Sequence, residues 1–311
     1  MEVHFGLDDI PALQHSVITV GSFDGVHKGH RKIIEALISK AKEYGTQSIL
    51  ITFHPHPRLV LNHFDQSLKM LNTLDEKTSL FRSLGVDHMV VIPFTPEFAA
   101  QSPKDYIEDF LIKYFKPKAI VLGYDHQFGK GRVGTKEIMN ELKSVYQYEV
   151  FEVGQYDLLG ETVSSTKIRN LIVENNFDKA KDYLGYQYPI SGRVVMGDKM
   201  AGLMGYPTAN IMINDASKLI PRHGVYAVKM KWKSFKKEGM MYIGHRSSTH
   251  AKSPLHIEVN LFDFHGELYG EQAWVEIYQF IRSDIHFESK EILLAQIKDD
   301  QEKILAYFKS L

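Results

Sequence analysis

The 311-residue chain has no cysteine, only 2 tryptophans, almost no net charge and no long apolar run. Without cysteine there are no disulfides, no thiolate nucleophile and no Cys-type zinc site. Lys and Arg number 37 against 38 Asp and Glu, a net charge of -1. That balance gives no global field for nucleic acid or an anionic membrane, so neither is expected as a partner. No stretch approaches the roughly 18 apolar residues of a membrane span. The opening MEVHFGLDDIPALQHS lacks the apolar core of a secretion signal. A soluble cytoplasmic protein is the expectation. What is present suits a globular chain of two domains: 44% hydrophobic and 24% charged residues.

The first half alternates strand and helix patterns. Ser16 to Val20 is a β-branched run ending in the turn-rich Gly21-Ser22-Phe23-Asp24-Gly25. Ile33, Ile34, Leu37, Ile38, Ala41 and Tyr44 then recur at helical spacing, with Gly45 as a stop. Further strands are expected at Ser48 to Phe53, His88 to Ile92 and Lys118 to Leu122. Between them, Thr73-Leu74-Asp75-Glu76 is a capping box for a helix stopping at Gly85. Ser102-Pro103 opens another helix reaching about Phe115. The alternation predicts an α/β domain with a mostly parallel, Rossmann-like sheet. After about Leu184 the pattern changes to short β-type runs at 190–195, 209–213, 224–232, 240–244, 256–264 and 272–280. A small antiparallel β-barrel is expected there, followed by a C-terminal helix over about Lys290 to Lys309. The domains expected are 1–184 and 185–311.

The string GSFDGVHKGH, Gly21 to His30, joins a strand end to a helix start. Ligands of open α/β sheets sit at the carboxyl ends of strands, and helix N-termini suit phosphate. Gly21, Gly25 and Gly29 allow close backbone approach. His27 and His30, three apart, can share one side of the first turn and donate to phosphate oxygens. Taken alone, H-x-G-H also fits two surface histidines on a helix cap. A zinc site would need a third ligand, and His54 and His56 are the only nearby offers. Downstream, Ser164, Ser165 and Thr166 place phosphate-binding hydroxyls at another helix start, with Lys167 and Arg169 able to bind pyrophosphate. In the second half, Thr208 and Asn210 alternate onto one face of a strand, where their oxygens can share a cation.

The decameric string matches the GxFDGVHxGH signature of the bacterial bifunctional riboflavin kinase/FAD synthetases. TFHPHPR (Thr52 to Arg58), GYDHQFGKGRVG (Gly123 to Gly134) and SSTKIR (Ser164 to Arg169) resemble that family's next segments in order. Gly205-Tyr206-Pro207-Thr208-Ala209-Asn210 resembles its G-[FY]-PTAN kinase motif, and Asp263 to Gly270 its DFxGxLYG turn. The resemblance covers nearly the whole chain.

It implies two ATP-dependent steps, riboflavin to FMN in the barrel and FMN to FAD in the α/β domain, with Mg2+ assisting. By resemblance His27, His30 and Arg169 stabilise charge at the α-phosphate. Gly21, Phe23, Asp24, Gly29, Ser164, Ser165 and Thr166 bind ATP, as do Gly197, Lys199 and Gly205 in the barrel. Phe53, Pro57, Arg58, Asp125, Phe128 and Arg282 bind flavin; Phe53 equally suits the core, and Asp125 a turn. Thr208 and Asn210 hold Mg2+, and Glu258 takes the proton of the riboflavin 5′-hydroxyl. The barrel also departs from the pattern. The usual Gly-Arg of the glycine loop is Ala201-Gly202, and the usual Asn and Pro of NIGxRPT are Tyr242 and Ser247. A chain that only adenylylates FMN, its barrel reduced to flavin binding, is the alternative.

Overall fold

The computed structural model describes residues 1–10, 15–61, 68–124, 126–158, 160–197, 204–245 and 255–311. Two compact units divide the chain, Met1–Ser165 and Thr166–Leu311.

The first unit is built on six parallel strands. They are β1 (Glu2–Phe5), β2 (Ser16–Val20), β3 (Gln47–Phe53), β4 (His88–Ile92), β5 (Pro117–Gly123) and β6 (Glu149–Val153), in spatial order β1-β4-β3-β2-β5-β6. All five residues of β2 and of β4 are buried. This is why the central strands read as continuous apolar runs: a parallel strand is covered on both faces. The edge strands β1 and β6 carry no such run. The sequence pattern did not flag them. Helix α1 (Lys28–Glu43) follows β2 and buries Ile34, Leu37 and Ala41.

The strand order decides where a ligand can sit. From β2 the chain steps outward through β3 and β4, then crosses back to place β5 on the other side of β2. The connections after β2 and β5 therefore leave in opposite directions. The crevice between them is the topological switch point of an open sheet. The loop carrying Gly21 to His27 emerges there.

Two helical features refine the sequence reading. The capping box is present as expected: the Thr73 side chain accepts from the Glu76 N–H, the Glu76 carboxylate accepts from the Thr73 N–H, and Gly85 closes the helix Leu74–Leu84 at φ 87°. The segment opened by Ser102 instead changes hydrogen-bond pattern, with a π-helix over Tyr106–Ile112 between short α-helical ends. It buries Tyr106, Ile107, Phe110 and Leu111.

The second unit contains a closed antiparallel barrel. Its strands are β9 (Pro189–Val195), β10 (Ala209–Met212), β11 (Gly224–Trp232), β12 (Phe235–Gly244), β13 (His256–Leu261) and β14 (Gln272–Ser283), in order β10-β13-β12-β11-β14-β9 with β9 pairing back onto β10. A two-stranded ribbon, β7 (Asp157–Leu158) with β8 (Glu161–Thr162), precedes it in the first unit. The C-terminal helix Lys290–Lys309 packs Ile304 and Phe308 against Val225, Ala227 and Met240. It also buries one carboxylate, Asp300, whose partner is Arg282 of β14.

Candidate functional site

In the first unit, the turn after β2 is tightly specified. Phe23, Gly25 and Val26 have positive φ, and the Val26 N–H donates to the Phe23 carbonyl at 3.1 Å. Asp24 is buried. Its Oδ1 accepts from the N–H groups of Leu71 (2.9 Å) and Asn72 (3.4 Å), which ties the turn to the start of the Leu74–Leu84 segment. The Asp24 carbonyl accepts from the Ser165 hydroxyl at 2.8 Å. Ser165 is the first residue of the helix Ser165–Val173. Arg169 lies one helical turn further along that helix.

His27 is the N-cap of α1, and its Nδ1 accepts from the His30 N–H at 3.3 Å. An accepting Nδ1 leaves Nε2 as the N–H donor. The two imidazoles stack with centroids 3.6 Å apart and planes 16° from parallel. The Phe23 ring meets His30 edge-on at 5.4 Å. A Cβ at Gly29 would lie 3.3 Å from the His27 ring, and one at Gly21 3.0 Å from the Phe23 ring, so both glycines make room for these neighbours.

Burial pushes the His27 imidazolium down to about 4. Burial, then His27, then Lys77 hold His30 well below the usual imidazole range. Both rings are therefore neutral near pH 7. Among the described residues His30 Nδ1 is buried without a hydrogen-bond partner. A buried, unsatisfied ring nitrogen at a helix N-terminus is chemically prepared for an incoming phosphate oxygen.

The second unit brings other chemistry together. β10 pairs with β13 so that Asn210 lies opposite Glu258, and β12 pairs with β13 so that Tyr242 lies opposite it too. The Thr208 hydroxyl donates to Glu258 Oε2 at 3.1 Å. Thr208, Glu258, Asn260, Tyr242 and Arg282 line one cavity of about 630 Å3. A Cβ at Gly197 would come within 2.2 Å of the Asn210 amide, so only glycine permits this approach. Gly205 has φ +86°. Arg282 grips Asp300 through Nε and Nη2 at 2.9–3.0 Å, which fixes its guanidinium at the cavity wall. The Tyr242 hydroxyl donates to Asp284 Oδ2 at 3.0 Å, and burial, followed by Asp284, pushes its phenol pKa upward.

Comparison with known proteins joins these two arrangements. The FAD synthetase family model matches residues 9–167, and the riboflavin kinase model matches residues 184–308. The bifunctional riboflavin kinase/FMN adenylyltransferase of Listeria monocytogenes is 36% identical over 299 residues, covering 96% of this chain and 94% of that protein. Its Bacillus subtilis counterpart is 35% identical over 300 residues, 95% of this chain and 93% of the relative. This chain belongs to the bifunctional riboflavin kinase/FMN adenylyltransferase family. A crystal structure described as that of a macrolide-efflux protein from Streptococcus pneumoniae superimposes with TM-score 0.84 at 29% identity, covering 97% of this chain and 98% of that one. Among the described residues no helix of this chain is long and apolar enough to cross a membrane.

Within this riboflavin kinase/FMN adenylyltransferase framework, the sequence-predicted residues fall into groups. Gly21, Phe23, Asp24, His27, Gly29, His30 and Ser165 converge on one turn, with Ser164 next to it. Thr166 is exposed at the start of the same helix. Thr208, Glu258 and Arg282 converge on the barrel cavity, with Asn210 in register. Phe53 and Phe128 are buried in the aromatic core. Phe53 meets Phe94 at 5.4 Å and Phe98 at 5.5 Å, and Phe128 stacks on Tyr106 at 4.8 Å. Pro57 and Arg58 open the short helix Pro57–Leu61, with Arg58 exposed. Asp125 and Lys199, like Ala201, Gly202 and Ser247, lie outside the described residues.

Sequence reasoning overlooked Lys77. This buried lysine donates to the Ser22 carbonyl at 3.4 Å and contributes to holding His30 neutral. The signal was there. Lys77 shares a helix face with Leu80 and Phe81, three and four residues on, and a cation on an apolar stripe needs a partner. Asp300 was missed for the same reason, an acid on the buried stripe of the last helix.

Proposed function

We propose that the barrel unit phosphorylates riboflavin with ATP and that the α/β unit then adenylylates FMN with a second ATP. The observation that carries this reading is the pairing, in one chain, of a neutral stacked imidazole pair at a sheet switch point with a carboxylate facing a flavin-sized cavity.

In the barrel, Glu258 takes the proton of the riboflavin 5′-hydroxyl as that oxygen bonds to the γ-phosphorus of ATP and ADP leaves. Thr208 holds Glu258 Oε2 in place. Thr208 and Asn210 offer a hydroxyl and an amide oxygen beside a carboxylate, a hard donor set that fits Mg2+. These are the residues that would hold it with ATP, where it supplies charge neutralisation across the phosphates. Gly197 and Gly205 let the backbone come close to the triphosphate. Arg282, braced by Asp300, borders the flavin.

In the α/β unit an FMN phosphate oxygen bonds to the α-phosphorus of ATP, the bond to the β-phosphate breaks and pyrophosphate departs. The attacking oxygen is already anionic, so no base is needed. His27 and His30 donate to the oxygens on which charge accumulates, with Ser165 and the N-terminus of α1 around them. A cytoplasmic location goes with this reading.

Purified protein given riboflavin and Mg-ATP should accumulate FMN and then FAD, resolved by chromatography. Formation of neither would overturn the reading. FAD from supplied FMN, without phosphorylation of riboflavin, would leave only the adenylyl transfer and make the barrel a flavin-binding module.

A further inference from the structure

At the open edge of the parallel sheet, in β1 and β4, three metal-ligating side chains meet that neither activity uses. β1 and β4 run parallel with Glu2 opposite His88. Strand alternation puts Glu2 and His4 on one face of β1, and the register brings His88 to the same face of β4. Both imidazoles are buried, while Glu2 is exposed.

The spacing is that of a coordination sphere. His4 Nε2 lies 3.0 Å from His88 Nδ1, and Glu2 Oε2 lies 3.9 Å from the first and 3.7 Å from the second. A point equidistant from three atoms so placed is about 2.1 Å from each, the length of a Zn–N or Zn–O bond. His4 Nδ1 lies 2.9 Å from the Asp9 carbonyl oxygen. A carbonyl only accepts, so Nδ1 carries the proton and Nε2 presents its lone pair to the trio. This is the outer hydrogen bond that orients a ligating histidine.

We propose that Glu2 Oε2, His4 Nε2 and His88 Nδ1 bind one Zn2+ ion, with a water as the fourth ligand, and that the ion clamps the edge strand β1 to β4. Binding replaces the His4–His88 hydrogen bond. Ligation through His88 Nδ1 requires the ring proton to sit on Nε2 instead. Two imidazoles and one carboxylate favour Zn2+ over Mg2+, which prefers oxygen ligands and retains its waters.

The test uses the full-length protein, stripped of metal with a chelator and titrated with ZnCl2 or MgCl2 against a chromophoric competitor. Wild type should bind one more equivalent of Zn2+ than His88→Ala, a difference that sets aside any ion taken by other histidines. Glu2→Gln should weaken that equivalent by about 10-fold or more, since even an outer partner of a metal ligand is worth this much. Zn2+, but not Mg2+, should raise the melting temperature of wild type, and at the same Zn2+ concentration should raise that of Glu2→Gln by less. FAD formation from FMN should be unchanged in Glu2→Gln, showing an intact fold. Glu2 is exposed, so this variant decides the matter even if His88→Ala does not fold. Equal Zn2+ affinity of wild type and Glu2→Gln, or a wild type whose melting temperature ignores Zn2+, would overturn the proposal.

Discussion

The two sites handle the same cosubstrate with opposite equipment. In the α/β unit the ionisable groups nearest the proposed reaction are two imidazoles kept neutral by burial, set at a helix N-terminus beside a buried lysine. In the barrel the central group is a half-buried carboxylate held by a threonine hydroxyl. The difference follows from the nucleophile. A phosphate monoester arrives ionised and needs only donors for the charge that builds on the α-phosphate. An alcohol arrives protonated and needs an acceptor for its proton. In the proposed reading, each site supplies what its nucleophile lacks: donors for the phosphate, an acceptor for the alcohol.

Single substitutions should separate the sites. The largest effect is expected from Glu258→Gln, which removes the acceptor. FMN formation from riboflavin should fall by about 100- to 10,000-fold, the range for losing a general base, while FAD formation from supplied FMN is unchanged. His30→Ala should do the reverse, lowering FAD formation by about 100- to 1,000-fold, the usual cost of one transition-state donor. Loss of both activities from either change would mean that the sites are not independent.

Stability should separate the units as well. Asp300 is fully buried and paired with Arg282, so Asp300→Ala should destabilise the barrel unit by about 3 kcal/mol or more in denaturant titration. The α/β unit should respond to acid. His27 titrates near 4 when folded and near its ordinary 6.5 when unfolded, so the unfolded state binds more protons between those values. Its stabilising contribution is complete above pH 6.5 and lost as pH falls toward 4, about 3 kcal/mol in all. His30 acts in the same direction. Urea midpoints of the α/β unit at pH 7 and pH 4.5 should show the loss, and His27→Ala should reduce it. The smallest effect, about 1 kcal/mol, is expected for Thr73→Ala, which removes the cap of the helix that presents Lys77.

Much of this was legible in the residues. Strand β4, the capping box, the barrel's six β runs and the C-terminal helix are local patterns, set by burial period and by side-chain hydrogen bonds within a few positions. The edge strands were not legible, because a strand half open to solvent has no distinctive apolar run. The π-helical segment was not either, since its hydrogen-bond shift answers to the aromatic packing around Tyr106 and Phe110. Phe53 and Phe128 show the same limit. A motif position identifies the residue type, whereas the direction of its ring depends on neighbours far along the chain.

By itself, the sequence determined the two fold classes and the motif that caps α1 with a histidine, because each is encoded in contiguous spacing. Only the tertiary structure decided that Lys77 lies beside His30, that Asp300 braces Arg282 and that Glu2, His4 and His88 share one face. These pairings join positions 18 to 86 residues apart, and sheet order and strand register, which no local pattern contains, bring them within reach.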